Sequence, residues 1–147
     1  MTLMSFVVGL PAMLICLTLQ VLLVVWSLRY CLRKIAHSKP GDGFFATIGP
    51  LLTALVVMTS GNILEIATWG VLFIVVGEFD SLYPAIYHSA VNFTSLGYGD
   101  VVMSEKWKLL GPLEAVNGIL MLGMSAAALM AIFQEMIKAH RSALISR

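Results

Sequence analysis

The sequence predicts an all-α membrane protein: three transmembrane helices, with a short re-entrant helix and a glycine-rich loop between the second and third. Three observations predict it. Of the 147 residues, 59% are hydrophobic and 12% charged, about half the charged share of an ordinary soluble domain, and the mean hydropathy is +0.92. The apolar residues gather in three stretches, 3–28, 48–77 and 109–134. Each exceeds the ~20 residues that cross ~30 Å of hydrocarbon, and tilt or projecting helix ends absorb the excess. Between the second and third, residues 81–94 (SLYPAIYHSAVNFT) read as a helix too short and too polar to span.

The first stretch carries Pro11 and Gln20 and ends at the basic run RYCLRK. Arg29, Arg33, Lys34 and Lys39 follow it; Lys138, Arg141 and Arg147 follow the third stretch. Lys106 and Lys108 lie on the other side, beside Glu78, Asp80, Asp100 and Glu105. The positive-inside rule then puts the N-terminus outside, with the 29–43 loop and the C-terminus in the cytoplasm. No basic segment precedes the first stretch, which argues against a cleavable signal peptide. The run His37-Ser38-Lys39-Pro40-Gly41-Asp42-Gly43 is turn-rich and is the candidate linker. The expected organisation is an N-terminal helix and loop (1–43), a four-part module (44–137) and a short cytoplasmic tail (138–147). That tail is too short to fold alone, so no fused regulatory domain is expected. Cys16 and Cys31 fit neither a disulfide framework nor a metal site and read as packing residues. A net charge of +1 gives no sign of nucleic-acid binding.

In the short helix, Ser81 suits the N-cap and Pro84 the first turn. The loop that follows is Thr94-Ser95-Leu96-Gly97-Tyr98-Gly99-Asp100. Irregular backbone at membrane depth is tolerated only when buried in protein or lining a water-filled cavity. A glycine loop there has many carbonyls and little side chain to cover them, which is what a dehydrated cation needs. Pointing successive carbonyls one way demands alternating dihedrals, some with φ > 0, and glycine reaches these without steric penalty. The short helix would aim its partially negative C-terminus at the same place. An exposed turn is the plainer alternative, since Gly and Asp are ordinary turn formers. A chance Gly-Tyr-Gly-Asp is, however, on the order of 10⁻⁵ per position.

The segment resembles the T-[TS]-[VIL]-G-Y-G-D filter of potassium channels, and the resemblance extends over residues 48–134, the pore module of the two-span family. It implies that Ser95, Leu96, Gly97, Tyr98 and Gly99 line the ion path, with K+ held at Ser95, Leu96, Gly97 and Tyr98. Potassium channels achieve selectivity with rings of carbonyls from four such loops, so a homotetramer is implied, with K+ as permeant ion and no cofactor. Thr94 and Asp100 would support the filter. Tyr98 would pack outward against the short helix, Tyr87 would donate to Asp100, and His88 would contact Tyr98 or simply pack the helix. The third span resembles a pore-lining inner helix in which Gly118 is the first candidate hinge and Gly123 the second; close packing is the alternative for both. The chain is thereby expected to be a multi-pass protein of the cell membrane, of small prokaryotic type and so of a bacterial inner membrane. Three residues depart from the pattern: Ser95 stands where threonine is usual, Leu96 where Val or Ile is, and Val91 where some members have a bracing glutamate. They keep open a weakly selective cation channel, and a non-conducting membrane assembly subunit is the alternative from another class.

Glu65 lies inside the second span, one turn from Asn62 and Trp69. An intramembrane carboxylate is costly and marks a candidate site. Two readings stand for it, a protonated carboxyl or one paired with Asn117, Glu114 or Gln20 from neighbouring helices, whether as a pH sensor or as a structural hydrogen bond, and the sequence does not name the partner. Arg29, Arg33 and Lys34 cluster at a helix end instead of recurring within a span, so anionic-lipid attraction, not voltage sensing, explains them. Glu78, Asp80, Asp100 and Glu105 would concentrate cations outside. Under this topology His88 is separated from His37 and His140, which lie on the cytoplasmic side on different segments, and no enzyme is expected.

Overall fold

A computed structural model describes residues 2–37 and 44–145. Its elements, in order, are α1 (Thr2–Ala36), α2 (Phe44–Val75), α3 (Leu82–Phe93) and α4 (Leu110–Ile145), with no strand among the described residues. The three long helices contain the apolar spans Leu3–Ala36, Ile48–Val75 and Leu110–Ala139. At 1.5 Å per residue the 12 residues of α3 cover about 18 Å, against about 48 Å for the 32 of α2.

Helix ends differ from expectation in two places. The expected 29–43 loop is helical as far as Ala36, so Arg33 and Lys34 occupy the last turn of α1, where cations meet the negative helix end. Residues 38–43 lie outside the described region. At the other end α4 runs on to Ile145 and carries Lys138 and Arg141 on its final turns.

The molecule is inside-out relative to a water-soluble bundle. Leu3, Leu14, Val56, Ile63 and Ile119 are exposed, whereas Gln20, Glu65, Ser89, Glu114 and Asn117 are fully buried. Lipid accepts the first set without penalty, and of the second set Gln20, Ser89 and Glu114 find partners across helices. One core cluster joins Cys16, Trp69, Phe73, Met103, Trp107 and Leu110; a second, at the opposite end, joins Cys31, Ala54 and Ile132. Both run from α1 through α2 to α4. Between them Gln20 Nε2 donates to Ser125 Oγ at 2.7 Å, with Met121 O at 3.4 Å and Asn62 Oδ1 at 3.5 Å. Such interhelical bonds contribute about 0.6–2 kcal/mol each. The front helix is therefore keyed into the bundle at mid-length.

Helix α3 packs on α2 and α4 but not on α1. Two glycines permit the approach. A Cβ at Gly70 would stand 3.2 Å from the Ile86 Cα, and one at Gly118 only 2.0 Å from the Phe93 carbonyl oxygen. The short helix is thus seated by its backbone near its middle and at its C-terminus.

Candidate functional site

Two helix ends set up the loop. Helix α2 stops at Gly77, φ +81°, where Gly77 N–H donates to Ile74 O and Glu78 N–H to Phe73 O, each 3.0 Å. This is the paired closing motif in which glycine normally takes the left-handed position. Helix α3 stops the same way: Ser95 N–H donates to Asn92 O at 2.8 Å and Leu96 N–H to Val91 O at 3.0 Å. Here the left-handed residue is Ser95, φ +59°, the only described non-glycine with positive φ. An L-residue in that region costs about 1–2 kcal/mol. Ser81 sits at the N-cap of α3 in extended conformation without making a side-chain cap bond.

Beyond Ser95 the positive angle recurs at Gly97 (+57°) and Gly99 (+73°), so residues 95, 97 and 99 alternate with Leu96 and Tyr98. A Cβ at Gly97 or Gly99 would meet nothing within 4 Å. Backbone angle, not crowding, is what calls for glycine there. The sequence pattern identifies the two glycines; it does not identify Ser95, whose angle comes from closing α3. The Thr94 hydroxyl is turned back on its helix, 2.7 Å from Ala90 O. On the single chain all of residues 94–100 are exposed, including Leu96 at 57% and Tyr98 at 67%. Tyr98, expected to pack outward against α3, keeps most of its surface open on one chain.

The loop is instead tied to α3 through Tyr87, whose phenol donates to Asp100 Oδ2 at 2.7 Å. This bond to the carboxylate holds the phenol above its ordinary value. A raised phenol contributes fully below the ordinary tyrosine value, about 10, and its contribution disappears as pH rises through the higher folded value. Loop-dependent activity in wild type should therefore carry an alkaline limb that Tyr87→Phe lacks; a pH profile of both proteins measures it.

His88 is buried, its ring against Phe73 and Phe79 with centroids 5.6 Å and 5.3 Å apart. Burial lowers its proton affinity. Of its two readings, packing describes these surroundings. A contact unforeseen from sequence holds the outgoing segment: Glu78 accepts from Ser104 N–H at 2.6 Å and from Ser104 Oγ at 2.5 Å. Charge-assisted bonds of this kind are worth about 1–2 kcal/mol together at an exposed position. Glu78→Ala is expected to lower stability by that amount, measured by thermal unfolding, with increased hydrogen exchange at residues 101–106.

Deeper in, Glu65 is fully buried and neither carboxyl oxygen has a hydrogen-bond partner. Of its two readings pairing is not seen, since none of the three candidate partners bonds to it: Gln20 is committed to Ser125, Glu114 to Ser89, and both polar atoms of the Asn117 side chain are unpartnered. The glycine assignments on α4 also change. Gly118, the first hinge candidate, is a close-packing position against Phe93 O, while Gly123, the second candidate, faces open space.

Residues 61–135, from the middle of α2 to the latter part of α4, match a family model described as "Ion channel". The chain belongs to this ion channel family. The match covers just over half the chain and includes α3, the glycine loop and the Gly118 crossing. No curated protein and no solved structure gives a match. As a channel-family member with three long apolar helices, the protein is a membrane protein of ion transport. Members of the channel family need no cofactor, and K+ as the permeant ion is compatible with the family. Among the described residues no three His, Cys, Asp or Glu side chains group as a metal site.

Proposed function

We propose that the chain is the pore-forming subunit of a potassium channel, four copies surrounding one axis and each supplying one loop. The observation that carries this reading is the alternation of left-handed backbone at Ser95, Gly97 and Gly99 directly after the C-terminus of α3. Alternating dihedrals turn successive carbonyls to one side, the requirement for replacing an ion's hydration shell with backbone oxygens. The exposure of Leu96 and Tyr98 on a lone chain supports assembly, since neighbouring copies would cover them.

In this reading α3 is a re-entrant pore helix within a 44–137 pore module. The loop 95–99 is the selectivity filter, Thr94, Asp100, Tyr87 and His88 support it, and α4 lines the pore. The N-terminus lies outside, the 29–43 segment and the end of α4 lie on the cytoplasmic side, and the membrane is the cell membrane of a bacterium. Potassium passes in single file down its gradient. Ser95 favours a second reading. It holds a strained angle without the methyl that stiffens threonine, which fits a weakly selective monovalent cation channel. Purified protein in liposomes, recorded in mixed potassium and sodium, tests both. A reversal potential following the potassium gradient supports the first, one near zero supports the second, and no flux in a cross-linked tetramer rejects conduction.

A further inference from the structure

Ser89, in the middle of α3 and fully buried, touches two oxygens from two other helices: the Ile66 carbonyl of α2 at 2.7 Å and a Glu114 carboxyl oxygen of α4. A hydroxyl carries one proton and donates one hydrogen bond. If Ser89 gives that proton to Glu114, its oxygen and the Ile66 oxygen face each other at 2.7 Å with no hydrogen between, two acceptors in a buried site. If it gives the proton to Ile66, whose carbonyl has a second lone pair beyond the helical bond, then Glu114 must supply the other proton.

From this proton count we infer that Glu114 is a carboxylic acid. Its O–H donates to Ser89 Oγ, and Ser89 donates to Ile66 O, making a directional relay from α4 through α3 to α2. The inference goes beyond the pore reading and rests on it only where α3 is named the pore helix. The surroundings agree with a neutral Glu114. Glu114 is fully buried and its other oxygen has no hydrogen-bond partner, so no donor there compensates a negative charge. The Cys16 thiol of α1 stands within electrostatic reach of Glu114 and of Glu65 of α2. Neither the thiol nor Glu65 supplies positive charge. Among the described residues the cations that form ion pairs, Lys108 and Lys138, do so on the surface with Glu105 and Glu135.

The proton has a mechanical consequence. Removing it makes Glu114 an acceptor that takes the Ser89 hydrogen, so the Ser89–Ile66 contact turns from attractive to repulsive. Helix α3 then loses its polar link to α2 while keeping the one to α4. The relay is a proton-dependent brace behind the loop.

Infrared spectra of the purified full-length protein at neutral pH test this directly. A carboxylic-acid carbonyl band is expected that disappears in Glu114→Gln and shifts in Ser89→Ala; any band of Glu65 is assigned separately with Glu65→Gln. In a Tyr87→Phe/Glu65→Gln background, which silences the phenol and the other buried carboxyl, thermal stability should fall more steeply at high pH with Glu114 present than in Glu114→Gln. If Glu114→Gln removes no acid band, the relay is wrong. Should that variant fail to fold, the wild-type band and its response to Ser89→Ala decide, and an unshifted band overturns the proposal. None of these readouts depends on conduction, so failure of the potassium reading is distinguishable from failure of this one.

Discussion

Gly118→Ala is expected to destabilise the protein by about 3 kcal/mol and to abolish ion flux. The added methyl would lie 2.0 Å from the Phe93 carbonyl oxygen, 2.7 Å from its carbonyl carbon and 2.9 Å from its Cα, where real side chains keep beyond 3.0 Å. All three neighbours are backbone, so no side-chain rotation relieves the clash; α3 and α4 must separate. Phe93 is two residues from Ser95, so the displacement passes straight into the loop. The gain in helix propensity from alanine, up to about 1 kcal/mol, offsets part of the cost. Thermal unfolding in detergent should show a fall of roughly 10 °C. Gly123→Ala is the control: a Cβ there meets nothing within 4 Å, and the propensity gain predicts equal or slightly higher stability. If Gly118 were a hinge and not a crossing point, its alanine variant would keep its stability and lose only gating, the opposite outcome.

These two glycines also mark what sequence does and does not disclose. Apolar runs longer than a bilayer, one short polar helix and a glycine loop depend on composition and local periodicity, and α1 to α4 follow them closely. The crossing point of two helices depends on their relative rotation, which spacing does not encode, so the hinge reading of Gly118 gives way to packing while Gly123 stands free. The same holds for Glu65. A buried carboxylate announces itself, but its partners are chosen by packing, and packing gives Ser125 to Gln20 and Ser89 to Glu114. Ser95 fails for a different reason. Its left-handed angle follows from how α3 closes, a position where glycine is the usual marker. With serine there, nothing in the sequence signals it. Helix ends are illegible where charged residues continue a helix without a breaker, as at 29–36 and 138–145.

Replacing Gly97-Tyr98-Gly99 by three alanines should abolish flux while leaving assembly intact, and the contrast with Gly118→Ala isolates the loop. Alanine at φ +57° or +73° costs about 1–2 kcal/mol per residue, and a fourfold ring repeats that cost in every copy. The loop can escape it by moving these residues to negative φ, because the space around both glycines is open. Escape ends the alternation and turns alternate carbonyls away from the axis, so an entering ion loses oxygens at the point where it must shed water. Nothing in the helices is disturbed: Gly118 still seats Phe93, and Gln20 still joins Ser125 and Asn62. Cross-linking should therefore report the wild-type oligomer, with potassium flux into liposomes at background. Wild-type-like flux would mean that ions do not pass along this backbone. Loss of the oligomer would mean instead that Tyr98, largely exposed on one chain, is the contact by which the copies recognise one another.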